Sequence, residues 1–471
     1  MSGEKASVKL RDLRNGKIFM VGIGGCSMSG LALLLKRYGY DVSGSTSIET
    51  EYLPMLKEQG IPFCLGHDPA RFEDIDLVIR TQAISMENAL MSAAAERGIP
   101  IRSRSWLLGQ LSEEFGQSVC VCGTHGKTTV TSMLAQILIE TDLNPTVHIG
   151  GIFPAMGGSI RNGSENLFLT EACEYQRSFL SLHPTGIILL NIDVDHLDYY
   201  RDIDEIEETF ASFLKKLPED GWALGCGEDE RIVRQLQKTA CRTTLYGMSD
   251  RCAYRMKNAV EDPCGYYRFD FFHDKEKLGH VRMGVPGIFN ALNATAALAA
   301  AYILGVDAAA ACDSIGRFRG AHRRFECTGT WNGAEIFHDY GHNPTEMRNA
   351  LSIGRKRCKS GRLWAVMQPH TYSRVKSLFE GFVTCTEEAD ITLVTDICGD
   401  REDDPGDINS GMLTEGMKKH GVNAFWTPGF DDAACMLRDG VRPGDLVITM
   451  GCGDIYRLND MLKEPQPEPQ D

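Results

Sequence analysis

Ser118-Val-Cys-Val-Cys122 runs directly into Gly123-Thr-His-Gly-Lys-Thr-Thr129, and the helical apolar pattern from Thr128 to Glu140 follows. A short buried strand, a glycine turn and a helix, in that order, predict a phosphate-binding loop. Gly123 and Gly126 let the backbone turn so that its N–H groups converge on phosphate oxygens, and the helix N-terminus adds partial positive charge. Lys127 is placed to reach the β- and γ-phosphates of a nucleotide, and the Thr128 hydroxyl suits Mg²⁺. In the usual Gly-x-x-x-x-Gly-Lys-Thr spacing the first glycine would fall at position 121, which is Val121, so the loop is a shortened variant.

Working outward, residues 17–112 alternate strands and helices. Lys17-Ile-Phe-Met-Val-Gly22, Tyr40-Asp-Val-Ser43 and Asp76-Leu-Val-Ile-Arg80 read as strands, with helices at Leu31 to Tyr38 and Asn88 to Arg97. That rhythm predicts an open parallel sheet covered by helices on both faces. Leu167-Phe-Leu-Thr170 and Gly186-Ile-Ile-Leu-Leu-Asn191 are further buried strands behind the phosphate loop, and Asn293 to Leu304 is an Ala-rich helix. The pattern breaks at the Gly- and Arg-rich connector Phe318-Arg-Gly-Ala-His-Arg-Arg-Phe325. A third unit follows, with strands at Arg362 to Met367, Ile391 to Thr395 and Asp445 to Met450. The expected architecture is α/β in three domains: a Rossmann-like domain over 1–112, a central P-loop domain with a mostly parallel sheet over 113–320, and a second Rossmann-like domain over 321–471. The tail from about residue 464 is proline-rich and acidic, and disorder is expected there.

Polar residues gather where these strands end. Thr170-Glu171-Ala-Cys-Glu174 and Asn191-Ile-Asp193-Val-Asp195-His196-Leu-Asp198 follow two strands of the central unit. The carboxyl ends of adjacent parallel strands face one crevice, so Glu171 and His196 are candidate Mg²⁺ ligands beside the phosphates. For Asp193, Asp195 and Asp198 a solvated acidic loop is the equal alternative. In the first unit, Gly22-Ile-Gly24-Gly25-Cys-Ser27-Met-Ser29-Gly30 is an imperfect dinucleotide fingerprint, with Ser27 in place of the third glycine. The second strand offers no carboxylate for a ribose, which disfavours a nicotinamide cofactor and leaves another diphosphate, such as that of a UDP-sugar, or a packing turn. In the third unit, His338-Asp-Tyr-Gly-His-Asn-Pro344 and Gln368-Pro-His-Thr-Tyr-Ser-Arg374 each follow an apolar strand, and the Arg374 guanidinium suits a carboxylate.

Bulk properties exclude other classes. The chain has 471 residues and a formal net charge of −15, which argues against nucleic-acid binding. Its 16 cysteines include no Cys-x-x-Cys pair, which favours reduced thiols and a cytoplasmic setting over a disulfide framework or a zinc site. No apolar stretch approaches about 20 residues, so no membrane span is expected.

Together these motifs resemble the Mur ligases, over about residues 15 to 460. The resemblance rests on Gly22 to Ala32, Gly123 to Thr129, Asn191 to Asp198, Arg323-Arg-Phe-Glu326, Asp339-Tyr-Gly-His-Asn-Pro344, Gln368 to Arg374 and Gly451-Cys-Gly-Asp454. It implies an ATP- and Mg²⁺-dependent acid–amino-acid ligase that joins L-alanine to the lactyl carboxylate of UDP-N-acetylmuramate through an acyl phosphate. By resemblance, Gly123, Thr124, His125, Gly126, Lys127, Thr128 and Thr129, with Asn290, Asn293, Arg324 and Asp339, contact ATP. Thr128, Glu171 and His196 bind the metal. Gly24, Gly25, Ser27, Met28, Ser29, His67 and Arg104 form the UDP-sugar end, and Tyr340, His342, His370 and Arg374 the amino-acid end. Lys127, His196, His342 and Arg374 are the implied catalytic set. A monomer or homodimer is expected. The chain departs from the family in reading Glu171-Ala-Cys-Glu-Tyr-Gln176 where Glu-Ala-Asp-Glu-Ser-Asp is common, and in carrying Phe289 before Asn290. Other readings are a sister ligase adding another amino acid or a recycled peptide, a P-loop switch or small-molecule kinase, and a non-catalytic UDP-sugar binder.

Overall fold

The computed structural model describes residues 9–462 except 51, 67, 69–73, 82, 198 and 401. His67, Asp198 and the proline-rich tail therefore lie outside the described residues. Three sheets divide the chain. The first runs from Lys17–Val21 to Ile101–Ser103 and has five strands, all parallel, with the first strand of the sequence at its centre. Every residue of Ile18–Val21 is buried, as a strand covered on both faces requires.

The central sheet has ten strands. Gln117–Cys122 lies between Gly186–Leu189 and Leu167–Glu171, parallel to both. Five strands between residues 222 and 286 were not foreseen: Trp222–Cys226, Arg242–Gly247, Tyr254–Glu261, Tyr266–His273 and Glu276–Pro286. The last three form an antiparallel meander on the far edge of an otherwise mainly parallel sheet. Their exposed positions carry Lys, Arg, Glu and Asp, which hid the two-residue alternation of buried Phe269 and Phe271. The meander has a use: Pro286 hands the chain through Gly287 to the helix Ile288–Ile303, which starts five residues earlier than the Ala-rich run suggested.

The third sheet has six strands, five of them parallel, with an antiparallel hairpin from Glu326–Trp331 to Ala334–Asp339 at one edge. The connector before it is backbone-strained: Gly320, Arg323 and Phe325 have φ of 101°, 62° and 44°.

The cores do not follow the three sheets one to one. A single buried cluster joins Ile18, Met20 and Leu31 of the first unit to Val119, Leu169 and Ile187 of the second. The third unit has two clusters of its own. Phe115, after the last helix of the first unit, stacks on Phe168 of the central sheet at 4.8 Å. Phe168 is fully buried, so Phe168→Ala is expected to cost roughly 3–5 kcal/mol. A thermal or urea unfolding profile would show this, and a midpoint unchanged from the parent protein would contradict the shared core.

Candidate active site

The phosphate loop leaves the carboxyl end of Gln117–Cys122 and enters the helix Lys127–Glu140. Gly126 stands at the helix N-cap with φ +86°, and a Cβ there would lie 3.0 Å from Asn293 Oδ1. Glycine is needed both for the backbone angle and for the close approach of Asn293.

Lys127 Nζ donates to Gly123 O at 2.6 Å, to Thr124 O at 3.0 Å and to both Glu174 oxygens at 3.1 and 2.9 Å. Burial alone would lower the lysine pKa, but Glu174 outweighs it and holds the ammonium charged. Glu174, only 2% exposed, also lies 3.6 Å from His196 Nε2. Tyr175 packs on the His196 ring at 4.6 Å, and Tyr200 Oη donates to Glu174 O at 2.5 Å. Glu174 was visible in the sequence only as one more acid after a strand. Its pairing with Lys127 depends on the bend at Gln176 and Arg177, both at positive φ.

Glu171 ends the neighbouring strand. Its Oε1 is buried with no hydrogen-bond partner, and burial raises its pKa against the opposing pull of the Gly150 N–H, Lys127 and Thr128. An orphaned carboxylate oxygen beside a threonine hydroxyl at a phosphate loop suits a hard divalent cation. Among the described residues no three His, Cys, Asp or Glu side chains cluster into a metal site.

Among the described residues, two ion pairs beside the loop tie the third unit to the central one, and Lys356 with Glu261, at 2.6 Å, makes a third farther out. His125 lies 3.3 Å from Asp193 Oδ2 and 3.3 Å from Glu346 Oε1. Burial opposes its charge, but these two carboxylates more than offset that and hold its pKa at about 9. Arg374 Nε and Nη2 donate to Asp195 Oδ1 at 3.3 Å. Burial would raise the Asp195 pKa, yet His196, Arg374 and His342 bring it down to about 2. Of the two carboxylates that read equally well as a solvated loop, Asp195 bridges to the third unit, while Asp193 stays half exposed and pairs with His125 inside the central unit. Glu346, which the sequence reading did not single out, donates its backbone N–H to Asn343 Oδ1 at 3.0 Å, and its side chain faces His125.

Two cavities adjoin the loop. The smaller, about 290 Å³, is lined by His125, Gly126, Thr129, Phe289, Asn290, Asn293, Arg324 and Asp339, closed by Asn349 and Ile353. Its apolar walls and amide groups suit a flat heteroaromatic base. The larger, about 530 Å³, gathers Cys26 and Tyr52 of the first unit, Thr124, Lys127, Thr128, Glu171 and His196 of the second, and Tyr340, His342, His370 and Arg374 of the third. Gly126, Arg324 and Glu346 line both. Asp339 is fixed by the N–H groups of Gly341 and Phe325, at 2.7 and 2.8 Å. Arg323 and Arg324 lie over the Tyr340 ring at 5.1 and 4.9 Å. His342 Nδ1 contacts Tyr340 O at 3.2 Å, and burial lowers its pKa against the opposing pull of Glu346.

Ser27 sits in the first turn of the helix Cys26–Arg37, whose N-cap Gly25 supplies no side-chain cap. Gly24 and Gly25 form the turn before it. Met28 and Ser29, expected at the sugar-nucleotide end, are buried at 2% and 0% exposure, with the Ser29 N–H spent on Gly25 O at 2.8 Å, and neither lines the cavities described above. Arg104 opens the helix Arg104–Glu113 and donates to Ser27 Oγ at 3.1 Å. His148, which no sequence signal marked, lies 2.8 Å from the same hydroxyl. Burial and the neighbouring Arg104 push its pKa down to about 3.

With this geometry in hand, three family models match the chain: "Mur ligase family, catalytic domain" over residues 17–116, "Mur ligase middle domain" over 121–301 and "Mur ligase, glutamate ligase domain" over 323–453. The chain belongs to the Mur ligase family. It is 38% identical over 454 residues to the UDP-N-acetylmuramate–L-alanine ligase of Acetivibrio thermocellus, covering 95% of this chain and 96% of that protein. To the enzyme of the same name from Clostridium beijerinckii it is 39% identical, covering 95% and 97%. Among solved structures, the UDP-N-acetylmuramate–alanine ligase of Thermotoga maritima superposes with a TM-score of 0.80 at 26% identity, covering 95% of this chain and 98% of that one. A murein peptide ligase from Psychrobacter arcticus, with a TM-score of 0.73 at 24% identity and coverage of 95% and 98%, shares the fold.

The charge on His125 makes the bridge to the third unit pH-dependent. Its folded pKa stands above the ordinary 6.5, so the stabilisation is complete below pH 6.5 and is lost as pH rises through about 9. His125→Gln, which cannot titrate, is expected to lose on the order of 1–3 kcal/mol less between pH 6.5 and 10 than the parent protein. Equal losses in denaturant titrations at the two pH values would contradict the bridge.

Proposed function

We propose that the chain is an ATP-dependent ligase that joins L-alanine to the lactyl carboxylate of UDP-N-acetylmuramate, the first peptide step of peptidoglycan precursor synthesis, in the cytoplasm. The observation that carries this reading is the larger cavity, into which side chains of all three units project beside the phosphate loop. A reaction with three substrates needs such a junction. Full-length similarity to ligases of that name supports it.

The lactyl carboxylate attacks the γ-phosphoryl group of ATP, giving ADP and an acyl phosphate. The alanine amine then attacks the acyl carbon, and phosphate leaves. Lys127 is the group that offsets charge on the transferring phosphoryl. Its ammonium is held by Glu174, so it must exchange that carboxylate for phosphate oxygens when ATP binds. His196, 3.6 Å from Glu174, is positioned to take up the released carboxylate. Thr128 and Glu171 would hold Mg²⁺, which supplies further charge neutralisation when bound, with His196 alongside.

His342 is suited to accept the proton of the alanine ammonium. Burial disfavours its charged form, and with Nδ1–H donated to Tyr340 O its Nε2 is the basic nitrogen. Arg374 and His370 complete the amino-acid end, with Arg374 free to exchange Asp195 for the alanine carboxylate. Asn290 and Asn293 serve the adenine end, and Phe289 provides its apolar wall. Gly24, Gly25, Ser27 and Arg104 serve the UDP-sugar. An acyl phosphate must be kept from water, and the ion pair of His125 with Glu346 holds the third unit down over it.

Phosphate release from ATP with Mg²⁺, measured with each substrate omitted in turn, tests the reading. Release is expected only when UDP-N-acetylmuramate and L-alanine are both present, and Lys127→Ala should reduce it about 100- to 1000-fold. Release that prefers a peptide or another amino acid would move the chain to a sister ligase. Release independent of the sugar nucleotide would overturn the reading.

A further inference from the structure

We infer that His148 is a positioning residue for the sugar-nucleotide end of the site, holding the Ser27 hydroxyl, and through it Arg104, across the boundary between the first and central sheets. This rests on Ser27 and Arg104 contacting that substrate.

Four hydrogen bonds run in line. Arg104 Nη1 donates to Ser27 Oγ at 3.1 Å, Ser27 Oγ meets His148 Nε2 at 2.8 Å, His148 Nδ1 meets Thr170 Oγ1 at 3.1 Å, and Thr170 Oγ1 donates to Glu171 O at 3.1 Å. The last bond fixes the direction of the others. The single hydroxyl proton of Thr170 is spent on Glu171 O, so Thr170 accepts from His148 Nδ1–H. His148 Nε2 is then bare and accepts from Ser27, whose oxygen is left to receive Arg104. One tautomer satisfies the whole chain.

The surroundings leave little room for another arrangement. His148 lies on the strand Thr146–Phe153 and is 2% exposed. The helix carrying Ser27 is pinned to the adjoining hairpin by Ser159 Oγ, which donates to Cys26 O at 2.9 Å. Among the described residues the Arg104 guanidinium has no ion-pair partner, so the donors it does not spend on Ser27 are available to an anionic substrate. A reoriented Ser27 hydroxyl would compete for those donors and move the guanidinium.

Two polar substitutions separate the ends of the relay. The side-chain amide of Asn reproduces Nδ1 of histidine and that of Gln reproduces Nε2. His148→Asn should keep Thr170 and release Ser27, and His148→Gln the reverse. His148→Asn is expected to raise KM for UDP-N-acetylmuramate about tenfold, the factor one anchoring hydrogen bond carries, with kcat and KM for ATP nearly unchanged. His148→Gln should stay within about threefold of the parent. Ser27→Ala should remove the effect of His148→Asn in a double-mutant cycle. Equal changes in both variants, or a loss confined to kcat, would overturn the proposal. Imidazole ¹⁵N NMR of the ligand-free full-length protein stands apart from the ligase reading: the relay requires an Nδ1–H tautomer, and an Nε2–H or cationic ring would refute it. Failure of coupled phosphate release would refute the substrate and leave the spectrum to decide the hydrogen-bond order.

Discussion

Three parallel strands, Leu167–Glu171, Gln117–Cys122 and Gly186–Leu189, run side by side in one register, with Val121 opposite Glu171 and Cys122 opposite Leu189. Almost everything the site uses hangs from their carboxyl ends. The phosphate loop leaves the middle strand, Glu171 and Glu174 the one, and Asn191 to His196 the other. A slip of one residue would exchange the two buried faces and pull Glu171 away from Thr128. Backbone hydrogen bonds lock the junctions as well: Ala172 N–H bonds Val121 O at 2.8 Å, Leu190 N–H bonds Cys122 O at 2.9 Å, and Asn191 exchanges two side-chain bonds with His125.

Charge is then arranged in the water-poor space above these ends. Lys127, His125 and Arg374 are cations in a largely buried setting, and each is held by a carboxylate: Glu174, Glu346 with Asp193, and Asp195. Burying a charge without a partner is costly, and these three cations are kept paired until substrate arrives. Substrate phosphates and carboxylates can then replace protein carboxylates at little net electrostatic cost. Glu171 is the inverse case, an anion whose Oε1 is left unmatched beside the loop.

Much of this was legible in the sequence where chemistry and periodicity coincide. The strand–Gly–Lys–Thr–helix run identified the phosphate loop, and the apolar strands of all three units stood out because buried parallel strands are nearly continuous in Val, Ile and Leu. The antiparallel meander was lost because its outward faces are charged. Glu174, Glu346 and His148 were lost for another reason. Each is an ordinary polar residue near a strand or helix end, and only the approach of a residue 47, 221 or 121 positions away gives it a role. His67 and the acidic tail fall among residues the structure does not describe.

The division of the hydrophobic cores has a mechanical consequence. By topology there are three domains, but by cohesion there are two bodies: the first and second units share one apolar cluster, while the third is filled by clusters of its own. The helix start at Gly25 and the phosphate loop are thus fixed in one frame, and the connector through Gly320, Arg323 and Phe325, all at positive φ, joins that frame to the other. Asn349 and Ile353, carried by the second body, close the base pocket only when that body is seated. Substitutions within the joined pair can therefore reshape its own cavities without disturbing the packing inside the third unit, whose clusters stand apart.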